Sequence, residues 1–227
     1  MIAWQHLDTA EIPGGGRLRL LRRGQEFSIQ LGQNELMNSR LSASERALAE
    51  LACGRIGARR GARILIGGLG MGFTLRAALD CFRSDAEIVV SELVPAIVDW
   101  ARGPMAEVFG DCLDDPRVAI RLEDVAEVIR RRAAAYDAIL LDVDNGPDGL
   151  TRAENDALYD AAGLQAARSA LRPGGILAVW SARPDRAFSA RLGRSGFAVD
   201  EITVRANRSG GARHRIWLAT RPDRPGS

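Results

Sequence analysis

The sequence predicts a mixed α/β fold, in which helices cover a mostly parallel sheet and a small β-rich segment precedes it. Two patterns support this prediction. Beyond residue 63, short apolar runs alternate with helical stretches, which is typical of βαβ units and a parallel sheet. Before residue 40, polar and apolar residues alternate between turn residues, which predicts antiparallel strands. The chain has 227 residues, 46% of them hydrophobic, and can therefore bury a sizeable core.

The sequence of the N-terminal segment predicts β-hairpins followed by a helix. Its alternating runs, at 17–21 and 27–31, are joined by turn residues. The pattern Ser-Ala-Ser-Glu predicts a capping box, in which Ser42 and Glu45 start the helix. The predicted organisation is an N-terminal β-hairpin subdomain with its linking helix at 1–55, a main domain at 56–222 and a frayed tail at 223–227.

The sequence of the main domain predicts five strands that are joined by helices and followed by a closing hairpin. The strands are expected at 64–66, 88–90, 118–120, 138–141 and 176–180, and the helices at 72–82, 95–102, 124–133, 154–171 and 184–195. Two further alternating runs, 199–205 and 214–219, flank a turn and predict a C-terminal antiparallel hairpin. This series of units describes the Rossmann-like fold shared by S-adenosylmethionine (SAM)-dependent methyltransferases.

The composition excludes several kinds of chemistry. All 31 basic residues are Arg, so that no Schiff-base, pyridoxal-phosphate or P-loop lysine is present. The net charge is only +2 and the Arg residues are scattered, which argues against nucleic-acid binding. Three Cys without a C-x-x-C pattern and two His near the ends favour neither a disulfide framework nor a metal site.

The sequence also predicts a cytoplasmic protein. No apolar run approaches the roughly 18 to 20 residues needed to span a bilayer, so no membrane association is expected. The first residues contain an early acid and lack a basic n-region, so we expect no signal peptide.

Glycines follow the first strand of the predicted parallel sheet. Gly68, Gly70 and Gly72 allow the backbone to turn tightly and to approach a ligand in front of a helix N-terminus. The glycines can equally serve a tight turn alone. Because Phe73 stands where G-x-G-x-x-G requires its last glycine, a dinucleotide is disfavoured.

Acidic residues follow the next two strands. Glu92 comes 24 residues after Gly68 and, with Leu93 beside it, is placed to bind both ribose hydroxyls of a nucleoside. Asp124 is expected to cap the next helix and, with Val125, to face adenine. A solvated charge at Glu92 and capping alone at Asp124 remain open alternatives. The order and spacing of these signals predict SAM as the ligand.

An acidic loop follows the fourth strand. Asp142, Asp144 and Asn145 lie within four residues of each other, directly after the apolar run. Turn chemistry explains Asn145 and its neighbours, but it does not explain two carboxylates on the strand end. Carboxylates there suit a cationic amine substrate, or a general base that removes a proton from one.

These motifs resemble those of the spermidine synthase (polyamine aminopropyltransferase) family over nearly the whole chain. The matching stretches are 66–76, Glu92-Leu93-Val94-Pro95, 114–118, 136–142 and 171–175. The N-terminal segment also resembles that family's β-rich domain, which the resemblance implies helps to form dimers. A homodimer is therefore a possible assembly.

Three departures from the family pattern affect the predicted activity. Met71 stands where the family has an acid that holds the amine of decarboxylated SAM. Asn145 stands where the resemblance implies a catalytic Asp, and the family's Tyr-His-Glu cluster is replaced at 46–50. The departures affect the parts specific to aminopropyl transfer and spare the parts that bind the nucleoside.

The sequence therefore predicts a spermidine-synthase-like SAM-dependent transferase, most simply a methyltransferase that acts on a small-molecule acceptor, possibly an amine. Two alternatives stay open: a polyamine aminopropyltransferase that uses decarboxylated SAM, with Asp144 as the base, and a SAM- or nucleoside-binding module without catalysis. The predicted catalytic residues are Asp142, Asp144 and Asn145; the predicted cofactor-binding residues are Gly68, Gly70, Met71, Gly72, Glu92, Leu93, Asp124 and Val125; no metal is expected.

Overall fold

Two β-sheets and the helices packed on them make up the chain. The structure is a computed structural model that describes residues 2–13, 15–143, 157–207 and 210–223. Among the residues so described, no helix has the length and apolar character needed to cross a bilayer.

The N-terminal sheet is antiparallel, with its four strands in chain order. The strands are β1 (Gln5–Glu11), β2 (Arg17–Arg23), β3 (Glu26–Leu31) and β4 (Asn34–Asn38). Gly24 and Gly32 have positive φ in the two tight turns on either side of β3. The sequence patterns did not predict β1, because its side chains are mostly exposed and show no apolar alternation.

The second sheet has seven strands in the order β10-β11-β9-β8-β5-β6-β7. Its strands are β5 (Arg63–Gly67), β6 (Glu87–Glu92), β7 (Val118–Leu122), β8 (Tyr136–Leu141), β9 (Leu171–Ser181), β10 (Ala198–Asn207) and β11 (Gly210–Thr220). The five strands β5 to β9 are parallel, and β10 and β11 form an antiparallel hairpin at one edge. The predicted fold class is therefore confirmed.

Seven helices flank the two sheets within the described ranges. They are α1 (Ala43–Ile56), α2 (Phe73–Cys81), α3 (Pro95–Arg102), α4 (Ala106–Phe109), α5 (Val125–Arg130), α6 (Ala161–Ala170) and α7 (Arg186–Arg194). The short α4 was not predicted, α5 ends before the expected residue 133, and β9 begins at Leu171 rather than at 176.

The predicted capping box at the start of α1 is wrong. Ser42 is the N-cap residue, but its side chain makes no capping hydrogen bond. Instead, the neighbouring Ser44 hydroxyl donates to the Glu45 carboxylate at 2.7 Å. The Glu45 side chain also lines a cleft, so it contributes to a site.

Apolar side chains cover both faces of the large sheet. On one face, they pack against α1, α2, α3 and the inward side of the N-terminal sheet, where Leu20, Phe27 and Ile29 are fully buried. On the other face, α5, α6 and α7 complete a second cluster around Leu65, Ile139 and related residues. The N-terminal sheet therefore shares its core with the main domain.

Strand register brings the predicted motifs to one edge of the parallel sheet. Gly67, the last residue of β5, pairs with Ser91 on one side and with Leu141 on the other. The residues that follow these three positions are the glycine loop, Glu92 and Asp142. Ligands of open α/β sheets bind outside the carboxyl ends of the strands, which is where these residues meet.

Candidate active site

A cleft opens between the N-terminal sheet and the carboxyl ends of the parallel strands. Its empty space is about 850 Å³, counted out to the solvent-facing mouth. One wall is apolar and comes mainly from the N-terminal sheet. The other wall carries the residue predicted to be catalytic, Asp142, and the predicted cofactor-binding residues Gly68, Gly70, Glu92, Leu93, Asp124 and Val125.

Gly68 allows β5 to end close to β8. It has φ of +85°, and a Cβ there would lie 2.8 Å from the carbonyl oxygen of Asp142. Its N–H donates to the carbonyl of Ser91 at 2.8 Å. A side chain at this position would push apart the three strand ends that form the floor of the cleft.

Gly72 has a packing role instead of a place on the cleft wall. It precedes α2 with φ of +75°, and a Cβ there would lie 2.5 Å from the ring of Phe109. Gly70 does line the cleft, and a Cβ there would be 3.5 Å from the Met37 sulfur of the N-terminal sheet. Direct contact between Gly72 and a cofactor stays a prediction.

Glu92 links the glycine loop to the turn after β6. The side chain is buried, and its two carboxylate oxygens accept hydrogen bonds from the N–H groups of Leu69 at 2.9 Å and Val94 at 2.8 Å. Burial raises its pKa, while these backbone donors oppose the rise. Glu92 lines the cleft, and its contact with ribose hydroxyls stays a prediction.

Asp124 caps α5, as the sequence predicted. Its Oδ1 accepts from the N–H of Ala126 at 2.7 Å. Its Oδ2 takes no hydrogen bond from the described residues and lies on a side chain that lines the cleft beside Val125. Capping and ligand binding are therefore compatible at this residue, and the contact with adenine stays a prediction.

A second chamber continues beyond Gly70. It shares Met37 and Asp142 with the main cleft and is further lined by Glu45, Met71 and Trp180. Two of these residues, Glu45 and Asp142, carry carboxyl groups, while Met71 is almost fully buried and contributes an apolar surface.

Asp142 has the most perturbed carboxyl group of this chamber. Its Oδ2 accepts from the Thr74 hydroxyl at 2.6 Å. Burial raises the pKa of Asp142 to about 7, the negative charge of Glu45 adds to the rise, and the Thr74 hydrogen bond opposes it. Burial also raises the pKa of Glu45. A carboxylate that titrates near neutral pH suits a proton acceptor.

Sequence reasoning missed several residues that line the second chamber or that hydrogen-bond to or pack against its lining. Glu45 was assigned to helix capping, and Thr74, Trp180 and His214 were not singled out. His214 lies 2.9 Å from the Ser44 hydroxyl through its Nδ1, and its ring meets the Trp180 ring edge-on at a centroid distance of 4.8 Å. These residues come from separate parts of the chain, so no local spacing could identify them.

The acidic loop is only partly within the described residues. Asp142 lies at the cleft floor as predicted. Asp144 and Asn145 fall outside the described residues, and their proposed roles therefore stay predictions.

The family model described as the spermine/spermidine synthase domain matches residues 46–185, which is more than half of the chain. Among curated proteins, polyamine aminopropyltransferase 2 of Pseudomonas aeruginosa is 33% identical over 120 residues, which cover 51% of this chain and 32% of that protein. Polyamine aminopropyltransferase of Mycobacterium tuberculosis is 33% identical over 101 residues, which cover 43% of this chain and 18% of that protein. The matches thus span a third or less of these relatives.

Solved structures show the same architecture. Spermidine synthase in complex with the transition-state analogue AdoDATO superposes with a TM-score of 0.75 at 17% identity, covering 97% of this chain and 74% of that one. Spermidine synthase from Thermotoga maritima superposes with a TM-score of 0.75 at 16% identity, with the same coverage. At this level of identity, the likeness establishes the fold.

Proposed function

The chain belongs to the spermine/spermidine synthase domain family, and we propose that it is an aminopropyltransferase that moves an aminopropyl group from decarboxylated SAM to a small amine. The comparisons support this alternative better than the methyltransferase that the sequence analysis favoured. That preference depended on three departures from the family pattern: Met71, Asn145 and the missing Tyr-His-Glu cluster at 46–50. The carboxylates of the second chamber offer another source of negative charge.

The observation that carries the proposal is the state of Asp142. An alkyl amine is protonated at neutral pH and has to lose a proton before its nitrogen can attack carbon. Asp142 has a pKa of about 7, faces the second chamber and is held by Thr74, so that it can accept this proton when it is ionised. Positioned general bases typically contribute about 10²- to 10⁴-fold to a rate.

The cleft residues fit the nucleoside part of the donor. Glu92 lines the cleft at the position expected for ribose, Asp124 has a carboxylate oxygen left for an amine donor, and Gly68 keeps the cleft floor open. When bound, decarboxylated SAM supplies an aminopropyl group on a positively charged sulfur. These residues orient that group toward Asp142, and correct orientation contributes strongly to a displacement reaction.

Electrostatics at the far end of the cleft favour cationic substrates. Glu45 and Asp142 place two carboxyl groups around one chamber. Decarboxylated SAM lacks the carboxylate of SAM, so it avoids repulsion from these groups, and an acceptor amine carries positive charge as well. A methyl donor that retains its carboxylate is less well matched to this end of the cleft.

Product analysis tests the proposed function directly. We expect the purified protein to convert decarboxylated SAM and putrescine to spermidine and methylthioadenosine, while SAM and putrescine give no methylated amine. Asp142→Asn should lower the turnover number at least 100-fold, because an amide cannot accept the proton.

The remaining outcomes separate the alternatives. Methylation of putrescine from SAM, without transfer from decarboxylated SAM, would return the methyltransferase interpretation to first place. Binding of methylthioadenosine without transfer to putrescine, spermidine or cadaverine would favour a nucleoside-binding module.

A further inference from the structure

We propose that His214 is a positioning residue for the acceptor: through Ser44, it holds the Glu45 carboxylate where that group can bind the acceptor's ammonium ion beside Asp142. The inference rests on the proposed function and deepens it, because it assigns the second charge of the acceptor site. Of His214, Ser44 and Glu45, Glu45 alone lines the chamber. His214 therefore acts through Ser44 and Glu45.

A directed chain of hydrogen bonds connects β11 to the first turn of α1. The Ser44 hydroxyl donates to Glu45 Oε2 at 2.7 Å and lies 2.9 Å from His214 Nδ1. A hydroxyl has one proton, so the Ser44 oxygen must act as the acceptor from His214. The proton of the imidazole is therefore on Nδ1, and both hydrogen bonds point toward the carboxylate.

Packing fixes this chain in place. Ser44 is buried, and the His214 ring is held edge-on against the Trp180 ring at 4.8 Å between centroids. Burial lowers the pKa of His214, which keeps the imidazole neutral near pH 7. A neutral ring with its proton on Nδ1 donates to Ser44 without adding a positive charge of its own to the chamber.

Trp180 contributes an aromatic wall to the chamber, next to the two carboxyl groups. It lines the chamber with Glu45 and Asp142, is only 8% exposed, and its buried indole N–H has no hydrogen-bond partner among the described residues. A buried donor without a partner is costly.

The chain matters because Glu45 is a poorly solvated acid. Burial raises the pKa of Glu45, and the Ser44 hydrogen bond opposes this effect by stabilising the charged form. The charged groups around it are Asp142 from the end of β8 and, on α1, Arg46, whose guanidinium group lies 3.9 Å from Glu50 and 3.6 Å from Asp80. Since Arg46 is paired elsewhere, the hydrogen bonds from Ser44 and from the backbone N–H of Glu45 are the interactions that favour ionised Glu45.

Three variants and one control test the chain of hydrogen bonds from His214 to Glu45. His214→Leu removes the donor to Ser44 and keeps an apolar side chain beside Trp180, while Ser44→Ala removes the next link. His214→Asn retains an N–H close to the position of Nδ1 and serves as the conservative rescue. His6→Leu is the matched control, because His6 is the only other histidine and lies exposed on β1.

The primary measurement is the titration of the Glu45 side-chain carboxyl group by carbon-13 NMR. We expect His214→Leu and Ser44→Ala each to raise its midpoint by about one pH unit, which is what loss of one hydrogen bond to a charged group implies. In the double variant His214→Leu/Ser44→Ala, the Glu45 midpoint should shift no further than in either single variant. His214→Asn and His6→Leu should titrate like the parent protein.

The kinetic measurement asks whether the chain serves the acceptor. With decarboxylated SAM as donor, the KM for putrescine should rise about tenfold in His214→Leu, whereas the donor KM and kcat should change less than twofold. Thermal unfolding of each variant checks that it folds. If His214→Leu does not fold, Ser44→Ala provides the same test.

An unchanged Glu45 titration in His214→Leu overturns the inference, and so does an equal loss of putrescine affinity in His214→Asn. Failure of the parent protein to transfer aminopropyl groups overturns the proposed function and the acceptor role with it. In that case, the Glu45 titration still decides whether His214 controls this carboxylate.

Discussion

Asp142 occupies a position where its negative charge is costly to the fold. Its pKa is about 7 in the folded protein, against 3.8 for an ordinary aspartate. Between these two pH values, the folded state binds more protons than the unfolded state, so the free energy of unfolding falls as the pH rises. Above pH 7, the cost of ionising Asp142 lowers the free energy of unfolding by about 4 kcal/mol, because one pKa unit corresponds to about 1.4 kcal/mol.

We therefore predict that Asp142→Asn stabilises the protein while it abolishes transfer. An amide keeps the shape and the hydrogen bond from Thr74, but it does not ionise. Urea unfolding should show a variant that is up to about 4 kcal/mol more stable than the parent at pH 8 and only about 1 kcal/mol more stable at pH 4.5. A stability difference that does not depend on pH would contradict the burial of this charge.

Gly72 illustrates a packing constraint at the scale of a single residue. Its φ of +75° and the Phe109 ring, 2.5 Å from an added Cβ, exclude a side chain. Gly72→Ala should lose at least about 2 kcal/mol of unfolding free energy, from left-handed strain and displacement of the ring.

Gly54 is the matched control for that variant. It lies within α1, and an added Cβ would meet nothing within 4 Å. Gly54→Ala should leave stability unchanged or raise it by up to about 1 kcal/mol, since alanine is the better helix former. Equal effects of the two changes in chemical denaturation would argue against the packing role of Gly72.

At the scale of elements, Asp137 joins segments that are distant in sequence. It is buried at the start of β8 and accepts from Arg59 Nη1 at 3.0 Å, from the backbone N–H of Arg63 at 2.9 Å and from Arg172 Nη1 at 2.7 Å. Arg59 precedes β5, Arg63 is the first residue of β5, and Arg172 lies in β9. One carboxylate thus ties the amino ends of three neighbouring strands, at the edge opposite the cleft.

Asp137→Asn should destabilise the fold by about 2 kcal/mol, because two guanidinium groups and a backbone donor lose a charged acceptor. Thermal denaturation of the variant measures the loss. Glu11→Gln is the control, since Glu11 forms an exposed pair with Arg17 and such pairs contribute at most about 1 kcal/mol. If both changes cost the same, the role of Asp137 as a link between strands is wrong.

The elements also show where local patterns suffice. The buried parallel strands were predicted because their apolar runs are continuous. The exposed β1 was missed because its residues carry no such pattern. Ser42 and Glu45 match a capping box by spacing alone, but the surroundings of Glu45 turn it toward a chamber that other segments build.

At the scale of the whole molecule, the cleft requires both sheets. Leu31 and Met37 from the N-terminal sheet face Gly68 and Glu92 from the parallel sheet across the same space. The shared core beneath them, which includes Phe27 and Ile29, holds the two sheets together. The predicted boundary at residue 55 and the predicted homodimer stay predictions.

The sequence by itself determined the fold class, the position of the glycine loop and the acids that follow the parallel strands. These features depend on local periodicity and on the rule that parallel strands end at one edge, both of which can be read from neighbouring residues. Gly68, Glu92, Asp124 and Asp142 were predicted at this edge, and the structure places them on one cleft wall.

Only the tertiary structure decided the chemistry of the second chamber. Glu45, Asp142, Trp180 and His214 belong to α1, the end of β8, β9 and β11, and they meet only when the sheets close over each other. The raised pKa of Asp142 arises from burial and from the charge of Glu45, a residue far away in sequence. Solvation and charge are properties of a folded neighbourhood, and therefore no local pattern could predict them.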